Sequence, residues 1–259
     1  MKIAVITGAS SGLGKEYLRA VQEQLPNLDE IWILARRKDR LEALAKEAHT
    51  TKIVPMETDL SVPDGYRAFA ARLKEVNPEV ALLVNNAGYG KLGDFYGADC
   101  DAQTGMVDLN NRALTAMTCL TLPYMKAGGL IIQIASIAAF VPTPRMSVYC
   151  ATKSYVLSFS KALRAELKDR KINVLAVCPG PMDTEFLEVA DIPGRSKTFA
   201  ALPRVKAQDV AARSLKAGLR GKAVYTLSLI HIYETPAVQP LLPQPAKLPA
   251  ERPAQPKRC

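Results

Sequence analysis

The sequence lacks the features of several protein classes. Among its 259 residues, no apolar run reaches the ~18 residues that a membrane-spanning helix requires. The apolar stretch at the N-terminus ends at Thr7 and is too short for the core of a signal peptide. We therefore expect a cytoplasmic protein with no membrane partner.

Metal ligands and disulfide partners are also scarce. The two histidines, His49 and His231, argue against a multi-histidine metal site. The five cysteines show neither paired spacing nor the spacing of metal ligands. An odd number of cysteines in a chain without a signal peptide fits reduced thiols. We expect no bound metal and no disulfide framework.

The charge does not point to nucleic acid. The formal net charge is +9, but the basic residues are scattered and no basic patch is interleaved with aromatic residues. A basic surface together with a phosphate-bearing cofactor is the interpretation that this distribution favours over a nucleic-acid partner.

Short β-branched apolar runs alternate with longer helix-like segments. Strands are predicted at 2–7, 30–35, 52–57, 80–85, 129–135, 172–178 and 222–226, and helices near 12–24, 38–48, 62–76, 99–127, 148–170 and 206–220. Continuous rather than alternating apolar strands are typical of a parallel sheet that is buried on both faces. We predict a single doubly wound α/β domain of the Rossmann type over residues 1–226, with a mostly parallel seven-stranded sheet flanked by helices.

The remaining residues, 227–259, have a different composition. They hold 7 of the 18 prolines, which excludes a packed helix or a central strand over most of their length. We expect a disordered tail, with a polyproline ligand as the functional alternative. The segment 227–232 (LSLIHI) looks like the translated end of a sequencing adapter, which would make the tail non-native.

A glycine-rich loop follows the first predicted strand. Residues 7–14 read TGASSGLG and lead directly into a predicted helix. Glycines at these positions allow a tight turn and a close approach of the backbone to a pyrophosphate, which the helix N-terminus attracts. The pattern alone is weak evidence, but its place in a strand–turn–helix unit strengthens it. The predicted cofactor contacts in this loop are Gly8, Ser10, Ser11, Gly12, Leu13 and Gly14.

The end of the second predicted strand indicates which dinucleotide is bound. A site for NAD usually has an acidic residue at this position, whereas this chain has Arg36, Arg37 and Lys38. These cations lie at the start of a helix, where the helix dipole disfavours them. The 2′-phosphate of NADP would offset that cost. We predict NADP(H), with Arg36 as the first contact and Arg37 as the second, and NAD(H) stays the alternative.

Two more segments follow predicted strands, at the edge where a dinucleotide should lie. Asp59 and Leu60 come after the third strand, and the run 85–88 (NNAG) comes after the fourth. Asp59 could accept a hydrogen bond from the adenine amino group. Taken alone, both segments could equally be helix caps or turns. Asn86, Ala87 and Gly88 are predicted cofactor contacts together with Asp59 and Leu60.

The strongest chemical pattern combines Ser136, Tyr149 and Lys153. Tyr149 and Lys153 are four residues apart and so lie on one helical face, and Ser136 ends the fifth predicted strand. A tyrosine with an ordinary pKa near ~10 is a poor proton carrier at neutral pH. We expect the ammonium group of Lys153 and a positive nicotinamide ring to lower the pKa of Tyr149.

Taken together, these residues resemble the classical short-chain dehydrogenase/reductase family over roughly residues 1–226. The residues that carry the resemblance are Thr7, Gly8, Gly12, Gly14, Asp59, Asn85, Asn86, Ala87, Gly88, Asn110, Ser136, Tyr149, Lys153, Pro179, Gly180 and Thr184. No single motif among them is specific, whereas the combination in this order is.

The resemblance implies a function and a role for each catalytic residue. Tyr149 would transfer the proton and Ser136 would hydrogen-bond the substrate oxygen. Lys153 would bind the nicotinamide ribose, and Asn110, rather than its neighbour Asn111, would hold a relay water. It also implies that Pro179, Gly180 and Thr184 cover the nicotinamide, and that Tyr149 and Lys153 contact the cofactor too.

The expected activity is the NADP(H)-dependent interconversion of a small-molecule carbonyl and a secondary alcohol, in a homo-oligomer (dimer or tetramer). The substrate itself stays open, since the predicted pocket walls at 89–98, 140–147 and 186–203 are mixed in character. Two alternatives remain: an NADP(H)-binding sensor without turnover, and a binding module that acts through the Pro-rich tail. A nucleotide-sugar epimerase or dehydratase fits less well, because little chain is left for its larger substrate domain.

Overall fold

Seven parallel strands form one sheet in the computed structural model, which describes residues 1–47, 51–190 and 203–227. The strands are β1 (Lys2–Thr7), β2 (Glu30–Ala35), β3 (Lys52–Glu57), β4 (Glu79–Asn85), β5 (Leu130–Ile134), β6 (Asn173–Pro179) and β7 (Val224–Leu227). Their order across the sheet is β3-β2-β1-β4-β5-β6-β7, and every pair of neighbours is parallel. The predicted fold class is confirmed.

The helices connect these strands. They are α1 (Gly12–Gln24), α2 (Lys38–Lys46), α3 (Pro63–Val76), α4 (Cys100–Val107), α5 (Leu114–Thr121), α6 (Ser147–Glu166), α7 (Phe186–Val189) and α8 (Ala207–Leu219). The helix predicted near 99–127 is not one regular α-helix. A π-helical turn, Asp108–Ala113, separates α4 from α5, and a 3₁₀ turn, Leu122–Tyr124, follows α5. Such π-helical turns are rare and often mark functional sites.

The central strand β1 buries side chains on both faces of the sheet. In β1, Ala4 and Ile6 belong to the core that α1, α2 and α8 cover. Ile3 and Val5 point to the opposite core, which α3, α5 and α6 cover. Because successive side chains of a strand alternate between faces, a sheet covered on both sides needs continuous apolar runs. This explains why the strands could be recognised from the sequence.

The strand order fixes where a ligand can bind. The chain runs outwards from β1 to β3 on one side and from β4 to β7 on the other, so the order reverses between β1 and β4. In such sheets, ligands bind in the crevice beyond the carboxyl ends of the strands at this reversal. Thr7 ends β1 and Asn85 ends β4, so the glycine-rich loop and the 85–88 run meet there.

Several sequence-based predictions fall outside the described residues. These are the part of the predicted substrate loop at 191–202 and the tail from residue 228 onwards. The last strand ends at Leu227, one residue beyond the predicted boundary. None of the described helices is long and apolar enough to cross a membrane.

Candidate active site

The glycine-rich loop turns tightly from β1 into α1. Gly8 and Gly12 adopt left-handed backbone conformations, with φ of +67° and +52°. A Cβ on Gly14 would lie 2.2 Å from the carbonyl oxygen of Gly8, so only glycine fits there. Ser11 precedes α1 and makes no side-chain hydrogen bond to the backbone, so it does not cap the first N–H groups of the helix. This arrangement fits a pyrophosphate.

The segment after β4 is tied to this loop. The hydroxyl oxygen of Thr7 accepts hydrogen bonds from the backbone N–H groups of Asn86 and Ala87, each at 3.0 Å. The Asn86 amide nitrogen donates to the carbonyl oxygens of Thr7 and Gly8, at 3.0 and 3.2 Å. These bonds hold the predicted contacts from β1 and β4 side by side at the reversal of the strand order. Leu13 is buried in the core beneath them.

The two arginines after β2 occupy different places. Arg37 reaches the glycine-rich loop: its Nε and Nη2 donate to Ser10 Oγ at 3.2 and 3.1 Å, and Nη2 also donates to Ser11 Oγ at 2.7 Å. Its Nη1 forms an ion pair of 2.7 Å with Glu185. Arg36 is exposed. The structure therefore brings Arg37 to the predicted phosphate contacts, whereas Arg36 had been expected to be the first contact.

Asp59 caps a turn after β3. Its Oδ1 accepts hydrogen bonds from the N–H and the hydroxyl of Ser61, at 2.9 and 2.6 Å. Partial burial raises the pKa of Asp59, but the Ser61 hydrogen bonds and the positive charge of Arg36 outweigh it and lower the pKa overall. Leu60 is buried beside it. Asp59 is thus a turn residue, one of the two alternatives that the sequence allowed, and its Oδ1 accepts both hydrogen bonds from Ser61.

Ser136 and Tyr149 lie together behind the carboxyl end of β5. Ser136 follows β5 and begins a 3₁₀ turn, where its Oγ accepts from the N–H of Ala138 at 3.1 Å. Tyr149 lies in the first turn of α6 and is 7% exposed, and the Ser136 hydroxyl is near enough to its phenol to lower the phenol's pKa. The two hydroxyls therefore lie close together at this end of the sheet.

The pKa of Tyr149 is raised rather than lowered. Burial raises it to about 12, against a lowering by the Ser136 hydrogen bond. The ammonium nitrogen of Lys153 lies 5.8 Å from the centroid of the tyrosine ring. The chain's own groups therefore do not lower this pKa, because the loss of solvent around the phenol dominates, and the lowering by Lys153 together with a nicotinamide ring stays a prediction.

Lys153 is buried as well. It is 5% exposed, and its Nζ donates a hydrogen bond of 2.8 Å to the carbonyl oxygen of Ile134, the last residue of β5. Burial lowers the pKa of Lys153 to about 8, and the nearby Cys178 opposes this slightly. The lysine is thus anchored by backbone, one helical turn after Tyr149.

Asn110 lies in the π-helical turn between α4 and α5. Its Oδ1 accepts from the N–H of Tyr89 at 3.0 Å, and its Nδ2 donates to the Tyr89 carbonyl at 2.8 Å and to Thr152 Oγ1 at 3.0 Å. Asn111 donates instead to the Thr152 carbonyl oxygen. The structure places Asn110 next to Gly88 and on the side of Lys153, since a Cβ on Gly88 would lie 2.8 Å from Asn110 Oδ1 and 3.6 Å from Lys153 Nζ.

Thr184 and its neighbours close the crevice from the side of β6. Pro179 ends β6, and the N–H of Gly180 donates to the Leu227 carbonyl of β7 at 3.0 Å. A Cβ on Gly12 would lie 3.3 Å from Thr184 Cβ, so Thr184 faces the glycine-rich loop. The residues predicted to cover the nicotinamide therefore lie opposite those predicted to bind the pyrophosphate.

Two residues near the site, Thr152 and Glu185, were missed at the sequence level. Thr152 links the π-helical turn to α6, because its hydroxyl accepts from Asn110 and donates to the Tyr149 carbonyl at 2.8 Å. Its position between Tyr149 and Lys153 is a signal that could have found it. Glu185 pairs with Arg37 and has no local pattern to mark it, since the contact is long-range. Phe186, the first residue of the predicted pocket wall at 186–203, packs its ring on the Tyr149 ring with centroids 5.6 Å apart.

Comparison with known proteins agrees with this geometry. A family model described as short chain dehydrogenase matches residues 2–191. An NADP-dependent 3-hydroxy acid dehydrogenase of Schizosaccharomyces pombe is 32% identical over 191 residues, which cover 71% of this chain and 73% of that protein.

Two solved structures show the same fold. A short-chain dehydrogenase from Sphingobium yanoikuyae, in complex with NADPH, has a TM-score of 0.77 and 27% identity, covering 97% of this chain and 99% of the other. A 3-ketoacyl-(acyl-carrier-protein) reductase from Brucella melitensis, complexed with NADH, has a TM-score of 0.75 and 27% identity, covering 88% of this chain and 96% of the other.

Proposed function

We propose that this chain, which belongs to the short-chain dehydrogenase family, is an NADP(H)-dependent oxidoreductase that interconverts a carbonyl and a secondary alcohol. An NAD(P)-dependent activity on CH–OH groups follows from the family. The observation that carries the finer proposal is the cluster of the buried Tyr149 and Lys153 with the half-buried Ser136, near the carboxyl ends of the central strands.

Tyr149 is the proposed proton donor. With its pKa near 12, it is fully protonated at neutral pH and can donate to a carbonyl oxygen during reduction. Ser136, which lies beside it, would donate to the same oxygen and stabilise the charge that develops there. When bound, NADP(H) supplies or accepts the hydride at nicotinamide C4.

Lys153 and Asn110 are proposed to support Tyr149. Lys153 holds a buried amine close to the tyrosine and would bind the nicotinamide ribose hydroxyls, with two donor hydrogens left after its bond to Ile134. Asn110 would hold the relay water. Its amide is fixed by Tyr89 and Thr152, and such rigid support favours a precise site.

The preference for NADP(H) rests on the basic residues after β2. Arg37 already binds the two serines of the glycine-rich loop, and Arg36 adds a second positive charge beside it. Together they offer a planar, multidentate site for a phosphate. The NADP-dependent relative and the NADPH-bound neighbour support this preference, and the NADH-bound neighbour keeps NAD(H) as the alternative. The proposed cofactor contacts are Gly8, Ser10, Ser11, Gly12, Leu13, Gly14, Arg36, Arg37, Asp59, Leu60, Asn86, Ala87, Gly88, Tyr149, Lys153, Pro179, Gly180 and Thr184.

The proposed partner is a small-molecule carbonyl or alcohol, and the proposed setting is the cytoplasm. We also propose a homo-oligomer. It is supported by an aromatic pair on the surface of α6, where Tyr155 is 43% exposed and its ring stacks on that of Phe159, at 5.8 Å between centroids.

Fluorescence titration with NADPH and NADH tests the cofactor, and a panel of aldehydes and ketones followed by nicotinamide absorbance tests the reaction. The proposal expects tighter binding of NADPH and turnover of at least one carbonyl. Binding of NADPH without any turnover would instead favour an NADP(H) sensor. Tighter binding of NADH would reverse the cofactor assignment.

A further inference from the structure

Glu185 lies between two arginines of the neighbouring α2 region. Its Oε2 is 2.7 Å from Arg37 Nη1, and its Oε1 is 2.5 Å from Arg40 Nη1. Hydrogen bonds from Arg40 and Arg37 lower the pKa of Glu185 to about 2, so the carboxylate is charged at any physiological pH. Each carboxylate oxygen therefore has its own arginine.

The guanidinium of Arg37 has all its donor nitrogens engaged. Nε and Nη2 point to Ser10 and Ser11, and Nη1 points to Glu185. This is the group to which the proposed function assigns the 2′-phosphate of the cofactor. The Glu185 carboxylate thus occupies the arginine that is proposed to bind the 2′-phosphate of the cofactor.

We propose that Glu185 is a specificity-determining residue: its carboxylate competes with the 2′-phosphate for Arg37, and so weakens the binding of NADP(H) without weakening that of NAD(H). This inference rests on the proposed function, because it requires a 2′-phosphate at Arg37. A phosphate monoester carries about −1.5 to −2 charges and three acceptor oxygens. It therefore displaces a carboxylate, which carries a single negative charge, from one arginine.

Arg40 makes the exchange easy. Because Oε1 and Oε2 are held by different arginines, Glu185 can leave Arg37 and keep its ion pair with Arg40. The carboxylate is then not left without a partner. The side chains of Arg37 and Glu185 are 39% and 41% exposed, so the pair is weak enough to be exchanged.

The test uses 2′,5′-ADP and ADP, which carry the adenosine part of each cofactor and need no turnover. Isothermal calorimetry gives the dissociation constants for the wild type, for Glu185→Gln and for Glu188→Gln. Glu188 is an exposed residue of the adjacent α7, so its substitution removes the same charge from the same segment. Glutamine keeps the size of the side chain.

The proposal expects Glu185→Gln to bind 2′,5′-ADP about threefold to fivefold more tightly, in line with a half-exposed ion pair. ADP binding should be unchanged, and Glu188→Gln should match the wild type for both ligands. Weaker binding of 2′,5′-ADP by Glu185→Gln would overturn the inference and make Glu185 a residue that holds Arg37 in position. Equal tightening by Glu188→Gln, or of ADP, would overturn it as a general charge effect.

The wild type separates this inference from the proposed function. If it prefers 2′,5′-ADP over ADP and Glu185→Gln has no effect, the inference about Glu185 alone fails. If the wild type shows no preference for 2′,5′-ADP, the NADP(H) assignment fails and the competition at Arg37 fails with it.

Discussion

The two ends of the proposed cofactor groove are built in opposite ways. At the catalytic end, Tyr149 and Lys153 are 7% and 5% exposed, and Lys153 is bonded to the backbone of β5. At the phosphate end, Arg37 and Glu185 are about two-fifths exposed and are held by charged or hydroxyl side chains. Burial holds the catalytic residues in place, whereas exposed ion pairs that can exchange partners hold the residues of the phosphate end.

This difference has energetic consequences. A buried polar group that loses its partner costs about 1–3 kcal/mol, while a half-exposed ion pair is worth about 0–1 kcal/mol. Substitutions at the catalytic end should therefore act sharply, on the chemical step. Substitutions at the phosphate end should act gradually, on cofactor affinity and preference. The substitutions described next test this difference between the two ends of the groove.

The largest effect is expected for Tyr149→Phe. Loss of the proton donor should lower kcat by about 10²–10⁴-fold, because general acid catalysis contributes about that much. NADPH binding measured by fluorescence should stay close to that of the wild type. Tyr155→Phe is the matched control, because Tyr155 lies on the same helix but its hydroxyl contacts Thr115 away from the site. Turnover that survives in Tyr149→Phe would contradict the assigned acid.

Lys153→Ala should affect both rate and binding. The variant leaves the Ile134 carbonyl without its donor and removes the amine beside Tyr149, so a loss of about 10²-fold in kcat/KM is expected. Titration with NADPH should show weaker binding as well. Lys161→Ala, an exposed position of α6, serves as the control. An unchanged rate at neutral pH would remove Lys153 from the mechanism.

The arginines test the phosphate end. Arg37→Gln should lower the ratio of kcat/KM for NADPH to that for NADH by about tenfold, since hydrogen bonds to charged groups contribute about 1.5–3 kcal/mol. Arg36→Gln should lower the ratio less, because Arg36 is exposed and does not reach Ser10 or Ser11 in the structure. If Arg36→Gln lowers the ratio more than Arg37→Gln does, Arg36 is the main contact of the 2′-phosphate, as the sequence predicted.

The smallest effect is a pH dependence of stability. The pKa of Lys153 is about 8 in the folded chain, against an ordinary 10.5. Between these values the unfolded chain binds more protons than the folded one, so this residue makes the free energy of unfolding rise with pH. From pH ~8 to ~9, the wild type should gain about 1 kcal/mol relative to Lys153→Met. Denaturant unfolding at both pH values measures the free energy of unfolding of the two proteins. If the difference between wild type and Lys153→Met stays constant or falls from pH ~8 to ~9, burial does not lower the pKa of Lys153.

The fold could be predicted because its signals are local. The continuous apolar runs of β1 and β2 and the glycine-rich loop identify the strand–turn–helix unit without any long-range information. The interruption at Asp108–Ala113 could not be predicted in the same way. The hydrogen bonds that involve this turn reach Tyr89 and Thr152, which come from other parts of the chain.

In the candidate site, too, the features with local sequence signals could be predicted, and those that depend on long-range contacts could not. The positions of Ser136, Tyr149 and Lys153 follow from spacing, since a strand end and two helical residues four apart define them. Whether the pKa of Tyr149 is raised or lowered does not follow from spacing, because the shift depends on how fully the neighbouring residues exclude solvent from the phenol. Likewise, the pairing of Arg37 with Glu185 joins residues 148 positions apart and has no sequence signature.

Deuterium transfer tests the central claim most directly. The carbonyl that the panel shows to react fastest would be reduced with NADPH dideuterated at nicotinamide C4, and the alcohol analysed by mass spectrometry for wild type and Tyr149→Phe. We predict one deuterium at the carbinol carbon with the wild type and almost no alcohol with the variant. An alcohol without deuterium, or equal product from both proteins, would contradict hydride transfer assisted by Tyr149.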